Sequence, residues 1–310
     1  TAAYLALLGI MVLRQHPRVA FGMHQHINLW LLDDADGIAI VDTGVHIDSN
    51  RKIWGETLSD PAGDVNVTRI FVTHLHPDHA GCAGWLAREH DVELWMTREE
   101  YLLCRVLIAD TGREAPDAGV SFYRAAGFPD DALHRYQEMF GMFGRYVSPL
   151  PESYRRIKDG DIVSVGGSDW EVIVGRGHSV EHACLFNAER NIVISGDQVL
   201  PTISSNVSVY PTEPHANPLR DWMESLEHMK ERLPADVLVL PAHGKPFRGA
   251  HERLDELIHE HDTGLEKCVE LCSEARRGAC GLDGARQLPD ARTADARVER
   301  EDAKGAMVLT

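Results

Sequence analysis

The 310-residue sequence has no apolar run long enough to span a bilayer, no cysteine pairing that suggests a disulfide framework, no internal repeat and no low-complexity tract. The first absence argues against a membrane protein. The second makes the six cysteines (Cys82, Cys104, Cys184, Cys268, Cys272 and Cys280) read as reduced thiols, and the location as cytoplasmic. Positive charge is also scarce. Thirty-one Lys and Arg against 48 Asp and Glu leave a formal net charge of −17, which counts against a nucleic-acid partner, because polyanion binding depends on clustered cations that displace counterions. A small-molecule substrate fits such a chain better. Hydrophobic content of 44% and charged content of 25% are ordinary for a globular protein, and the length suffices for one large α/β domain with appendages.

The first half alternates strand-like and turn-like segments. INLWLLDD and GIAIVDTG flank the turn DDADG, and a helix-compatible stretch runs from Arg51 to Leu58. VTRIFVT is a branched, buried-strand pattern, GCAGWLAREH a helix with Pro77 near its start, and VELWMT another strand. The opening LALLGIMVL reads as a first strand, a cleaved leader being the alternative. Residues 98–151 turn aromatic and methionine-rich and read as a helical insertion or cap, with Phe122, Tyr123, Phe128, Tyr136, Phe140, Met142, Phe143 and Tyr146 as its apolar content. Such a segment lids a site, packs only on itself or forms a homodimer contact. Strands resume with DIVSV, DWEVIVG, HACLF and NIVISGD. An amphipathic helix containing LRDWMESLEHMKERL separates them from DVLVLPAHG. Residues 251–310 read as a helical extension, with Leu254, Leu257, Ile258, Leu265 and Val269 on one period. The expected layout is a catalytic domain over 1–250, interrupted at 98–151 and followed by that extension.

Four apolar strands run straight into metal-competent residues: IFVT into His74, His76, Asp78 and His79, EVIVGRG into His178, IVISG into Asp197, and VLVLPA into His243. Strand ends at one sheet edge converge, so seven side chains can meet in one cleft. Seven exceeds what one tetrahedral zinc takes and suits two ions. THLHPDHAG, GHSVEHA, SGD and PAHG, with VDTG at 41–44, resemble in order and context the signature motifs of the metallo-β-lactamase superfamily, its glyoxalase II-like branch above all. The resemblance covers roughly residues 20–250. It implies an αββα sandwich with a dinuclear centre at its edge: His74, His76 and His178 on one metal, Asp78, His79 and His243 on the other, and Asp197 bridging.

Two divalent ions per chain follow, zinc first, with iron or manganese as alternatives, since an imidazole and carboxylate set without thiolate suits all three. The implied activity is hydrolysis of a thioester, lactone or related activated carbonyl by a hydroxide between the metals, with Asp78 and Asp197 catalytic as well as ligating. The alternatives are a mononuclear iron oxygenase acting on a thiol or persulfide, a β-lactamase, and a binding module without turnover. Asp42, at the end of the IAIV strand, is a candidate outer partner for a ligating histidine; capping the DTG turn is its other reading. His24 and His26 share a strand face and stay out of the metal set, although His26 is a candidate for lining the cleft. Tyr210 and His215, on a Pro-rich loop, are candidate substrate contacts.

Overall fold

A computed structural model describes residues 10–15, 26–59 and 65–280. Two sheets carry the fold. The first is ordered β1 (Ile10–Gln15), β2 (Ile27–Asp34), β3 (Gly37–Val41), β4 (Val67–Phe71), β5 (Leu94–Met96) and β6 (Arg155–Arg156). β1, β2 and β3 are antiparallel neighbours, while β3 to β6 run parallel. The second is ordered β11 (Leu238–Pro241), β10 (Ile192–Gly196), β9 (His182–Asn187), β8 (Ser168–Gly175) and β7 (Ile162–Val165). Of the opening apolar run, residues 10–15 form β1; the remainder, and His24, lie outside the described residues.

The sheets face each other across an apolar layer. Trp30, Leu32, Ala39, Val41 and Phe71 of the first meet Val163, Val165, Trp170, Val172, Leu185, Ile194 and Leu240 of the second. Alternation along each strand sends the remaining side chains to the outer faces. On the outer face of the first sheet, Leu29, Leu31, Ile38, Ile40 and Ile70 pack with residues of three helices: Trp54 of α1 (Asp48–Leu58), Leu86 of α3 (Ala83–Glu89) and Tyr101 and Cys104 of α4 (Arg98–Ala109). The short α2 (Pro77–Ala80) precedes α3. The second sheet is covered by α7 (Pro218–Arg232), which buries Trp222, Leu226 and Met229. Helices, two sheets and helices make an αββα sandwich.

The described residues of Thr1–Arg113, Gly141–Val209 and Ala216–Leu254 form one compact unit; those of Glu114–Phe140, Tyr210–His215 and Asp255–Thr310 form a second. The stretch 98–151 is thereby divided. α4 and the segment carrying Phe143, Val147 and Leu150 belong to the sheet unit, because their apolar side chains lie in its core. The second unit holds α5 (Asp117–Ala125) and α6 (Asp130–Met139). Its aromatics pack on one another, with the Tyr123 ring 4.8 Å from Tyr136 and 5.0 Å from Phe128. The last helix, α8 (Ala250–Cys280), continues from the first unit into the second. It buries Leu254, Leu257 and Cys268, whereas Val269, expected on the same stripe, is 67% exposed. The buried stripe passes through Cys268, and the neighbouring position turns outward.

Gly84 lies where α3 meets the chain near Pro149. A Cβ there would sit 2.0 Å from the Pro149 carbonyl oxygen, a backbone clash that rotamer change cannot relieve. Gly84→Ala is expected to cost about 1–3 kcal/mol, seen as a lower urea midpoint at unchanged slope. An unaltered midpoint would show that the 148–150 segment moves aside freely.

Candidate metal centre

Strand direction explains how residues over a hundred positions apart meet. β9 is antiparallel to both β8 and β10, and β11 is parallel to β10. β8, β10 and β11 therefore point the same way, and His178, Asp197 and His243 follow their C-terminal ends. In the first sheet, β3 and β4 are parallel, so Asp42 and Thr73–His79 also leave a common edge. The two edges are laced together. Ala183 donates its N–H to Thr73 O at 2.8 Å and Asn28 its N–H to Ala242 O at 2.7 Å, while Asn28 Nδ2 donates to Pro241 O and Gly244 O at 2.9 Å each. A register shift between Ile194 and Gly196 interrupts the β10–β11 pairing immediately before Asp197, the kind of irregularity that turns a side chain at a strand end. Gly196 has φ 51°, and a Cβ there would lie 2.6 Å from the His182 ring.

The structure brings all seven expected side chains together in three overlapping groups: His74, His76 and His178; His74, His79 and Asp197; and Asp78, His79 and His243. Within each group the donor atoms lie within 4.8 Å of one another. In the first, His74 Nε2 is 2.8 Å from His76 Nδ1 and 3.3 Å from His178 Nε2. In the third, His243 Nε2 is 3.3 Å and His79 Nε2 3.8 Å from Asp78 Oδ2. Asp197 faces both: its Oδ2 lies 3.5 Å from His79 Nε2 and 3.7 Å from His178 Nε2, and its Oδ1 3.5 Å from His243 Nε2.

The outer nitrogens of four rings are committed elsewhere, which turns Nε2 inward. His178 Nδ1 donates to Asn206 O at 2.8 Å, His243 Nδ1 to His26 O at 3.0 Å, and His79 Nδ1 to Asp42 Oδ2 at 2.8 Å. His74 Nδ1 lies 3.0 Å from Thr73 Oγ1, which is itself 2.9 Å from Asp42 Oδ2. Asp42, at φ 62°, thus takes the outer-partner role of its two readings. His26 enters through its backbone carbonyl. Tyr210 and His215 belong to the second unit, on a turn closed by the Glu213 N–H donating to Tyr210 O at 3.0 Å; Tyr210 is half-buried and His215 exposed.

Burial, reinforced by the crowding imidazoles, holds His74 well below the usual imidazole range and His76 at about 3. Burial lowers His178 as well. Burial thus favours the uncharged form of all three rings, and His74 Nε2 and His178 Nε2, whose Nδ1 atoms are engaged elsewhere, face each other at 3.3 Å, where a shared cation is favourable. Elsewhere the balance reverses. Burial opposes charge on His79, but Asp42, Asp197 and Asp78 outweigh it and raise the ring well above its usual range; Asp197 and Asp78 likewise carry His243 to about 9. Against their own burial, Asp78 is drawn to about 2 by His79 and His243, and Asp197 falls well below the carboxylate range through His243, His79 and His178. His79 Nε2 and Asp197 Oδ1 are buried and make no hydrogen bond. Convergent neutral imidazoles, ionised carboxylates and buried unsatisfied donor atoms fit divalent cations.

Sequence reasoning passed over His182, Thr73 and Glu100. His182 stacks on His74 with centroids 4.7 Å apart and accepts the Asp197 N–H at 3.1 Å. Glu100 is completely buried, and its carboxylate accepts the Leu75 N–H at 2.9 Å and the Glu181 N–H at 2.8 Å. The motifs THLHPDHAG and GHSVEHA contain Thr73 and His182, whereas nothing local marks Glu100 as a partner of the site.

We expect Asp42→Asn to lower cation affinity 10–100-fold by weakening the hydrogen bond that orients His79. Zinc titration against a chromophoric chelator checks this, and unchanged affinity would assign Asp42 to the DTG turn alone.

An αββα sandwich whose strand ends gather histidine and aspartate side chains into three overlapping groups defines a class of protein. The model of the metallo-beta-lactamase superfamily matches residues 24–243, and the chain belongs to that superfamily. A solved structure titled a Beta-lactamase domain protein, from Burkholderia ambifaria, shares 38% identity at a TM-score of 0.72, over 85% of this chain and 76% of that one. The Lactamase-like protein nscB of Neosartorya fischeri is 31% identical over 272 residues, 86% of this chain; the chain spans 63% of that relative's length. The Acyl-coenzyme A thioesterase MBLAC2 of Bos taurus is 24% identical over 263 residues, 82% of this chain and 85% of the relative. Among the described residues, no helix is long and apolar enough to cross a membrane.

Proposed function

We propose that this protein is a dinuclear metal-dependent hydrolase that cleaves a thioester or a related activated carbonyl. The observation that carries the reading is Asp197, whose two oxygens face His79 and His178 on one side and His243 on the other, at 3.5 to 3.7 Å. His74, His76 and His178 would hold one ion and Asp78, His79 and His243 the second, with Asp197 shared and zinc the first choice. Bound there, the ions would supply a water acidified toward neutrality and a Lewis acid for the carbonyl oxygen. The chain's own part is orientation. Asp42, Thr73, Asn206 O and His26 O fix the rings, so that little reorganisation is needed when charge develops. Asp78, ionised and 3.3 Å from His243, is placed to accept a hydrogen bond from an attacking water and so orient it toward the carbonyl.

Similarity to a thioesterase across most of both chains supports the thioester among the carbonyl classes. Initial rates on the metal-replete protein with an acyl thioester, an acyl lactone, a cephalosporin and a phosphodiester test it directly. A thioester preference is the expected result. Turnover of the phosphodiester alone, or one iron per chain with oxidation of a thiol, would replace the proposal.

A further inference from the structure

The first turn of α4 has a form whose local meaning the structure declines. Thr97-x-x-Glu100 is a capping-box pattern, in which the glutamate turns back to the N-cap amide and the threonine caps the helix. Thr97 is indeed the N-cap residue, yet its hydroxyl makes no cap bond and donates instead to Glu181 O at 2.8 Å. Glu100 reaches away from its own helix: Oε2 accepts the amide of Leu75, between His74 and His76, and Oε1 accepts the amide of Glu181, three residues beyond His178. Glu181 returns the contact, its Oε2 accepting the Glu99 N–H at 2.9 Å. One buried carboxylate therefore joins the two loops that carry the all-histidine group.

Keeping it there is costly. Burial pushes the Glu100 carboxyl up to about 7, against the hydrogen bonds it accepts, and a buried carboxyl matched by neutral donors with no counter-charge stabilises a fold less than an apolar side chain of similar size. Its geometric effect is specific. The His74–Leu75–His76 turn and the 178–181 loop leave different sheets, and the Thr73–Ala183 backbone bond and the α4 clasp tie them together. The other histidines are anchored independently. The Thr43 amide and hydroxyl both donate to His79 O, at 2.8 and 2.7 Å, the Cys82 amide donates to Gly44 O, and His243 bonds His26 O.

Building on the metal-centre reading above, we propose that Glu100 is a positioning residue: by holding the Leu75 and Glu181 amides it sets the spacing of His74 and His76 against His178, and so the cation affinity of that group alone. It touches no ligand atom and takes no part in proton transfer. Misplacement of three histidines by a few tenths of an ångström is paid in affinity, because coordination distances tolerate only about 0.2 Å.

The test separates the groups with single-site backgrounds. His243→Ala leaves the His74/His76/His178 group, and His178→Ala leaves the Asp78/His79/His243 group, Asp197 being intact in both. Zinc is titrated into each, with and without Glu100→Gln, against a chromophoric chelator, and urea midpoints are recorded in parallel. Glu100→Gln, which keeps one acceptor, is expected to weaken zinc 10–100-fold in the His243→Ala background and by less than threefold in the His178→Ala background. Glu100→Leu, which keeps none, should weaken it further; if that variant does not fold, the Gln comparison decides alone. Equal weakening in both backgrounds would reduce Glu100 to a general structural role and overturn the proposal, as would no weakening in either. Absence of zinc binding in the parent His243→Ala protein would overturn the metal-centre reading itself, and this inference with it. Because the readout is binding, it is independent of whether thioesters prove to be the substrate.

Discussion

Asp197→Ala should lose hydrolysis by at least about a thousandfold in kcat, equivalent to about 4 kcal/mol of transition-state stabilisation. The size follows from its position: among the described residues, Asp197 is the carboxylate within 4 Å of His79, His178 and His243 together, and the proposed site makes its ionised carboxylate the charge shared by the two ions. Removing it leaves His79 and His243 with Asp78 and Asp42 as their remaining anionic neighbours, so the Asp78/His79/His243 group should hold its ion at least tenfold more weakly. The fold should survive, because the inter-sheet core lies in other side chains, among them Trp30, Phe71, Trp170 and Leu240. Metal analysis after gel filtration, with kcat on the preferred substrate, checks both halves. Full occupancy of both groups with undiminished turnover would show that Asp197 is not a bridge.

Stripping the metal is the second large effect. Dialysis against a strong chelator should abolish turnover, and zinc should restore it, while far-UV circular dichroism stays unchanged because the two sheets close on their own apolar layer. Thermal stability should fall, since a ligand bound only by the folded state contributes about 4 kcal/mol for each site held at a thousandfold excess over its dissociation constant. The sign of the pH effect follows from the ring charges. Carboxylate neighbours raise His79 well above its usual range and His243 to about 9, so a cation entering at pH 7 must displace the proton that His243 carries. Uptake therefore releases protons, and apparent affinity drops as pH falls. The neutral His74, His76 and His178 add little to that dependence. Turnover that persists after exhaustive chelation would end the hydrolytic proposal.

Much of the site was legible because chemistry and local structure coincide there. His74, His76, Asp78 and His79 follow directly on an apolar run, and His178, Asp197 and His243 each stand one to three residues beyond another. In a layered α/β fold the end of a buried strand is an edge, and a polar residue at an edge is either solvated or recruited. Asp42 was legible for the same reason, although its sequence allowed two roles and the 2.8 Å contact to His79 chose between them. Glu100 was not legible: a glutamate in the first turn of a helix is ordinary, and its partners lie 25 and 81 residues away. The extent of the insertion was equally hidden. Tyr101, Cys104 and Phe143 are the residue types of a small helical cap and of a main core alike, and composition does not say which surface an apolar side chain will meet.

The sequence by itself determined which elements form, that two strand blocks must layer with helices, and which seven side chains have the donor chemistry for cations. Those outcomes depend on periodicity and residue type over a few positions. Only the tertiary structure decided which ring nitrogens face inward and which buried acid ties the histidine loops together. These depend on strand direction and on contacts between residues far apart in the chain, where distances of tenths of an ångström separate a ligand from a bystander.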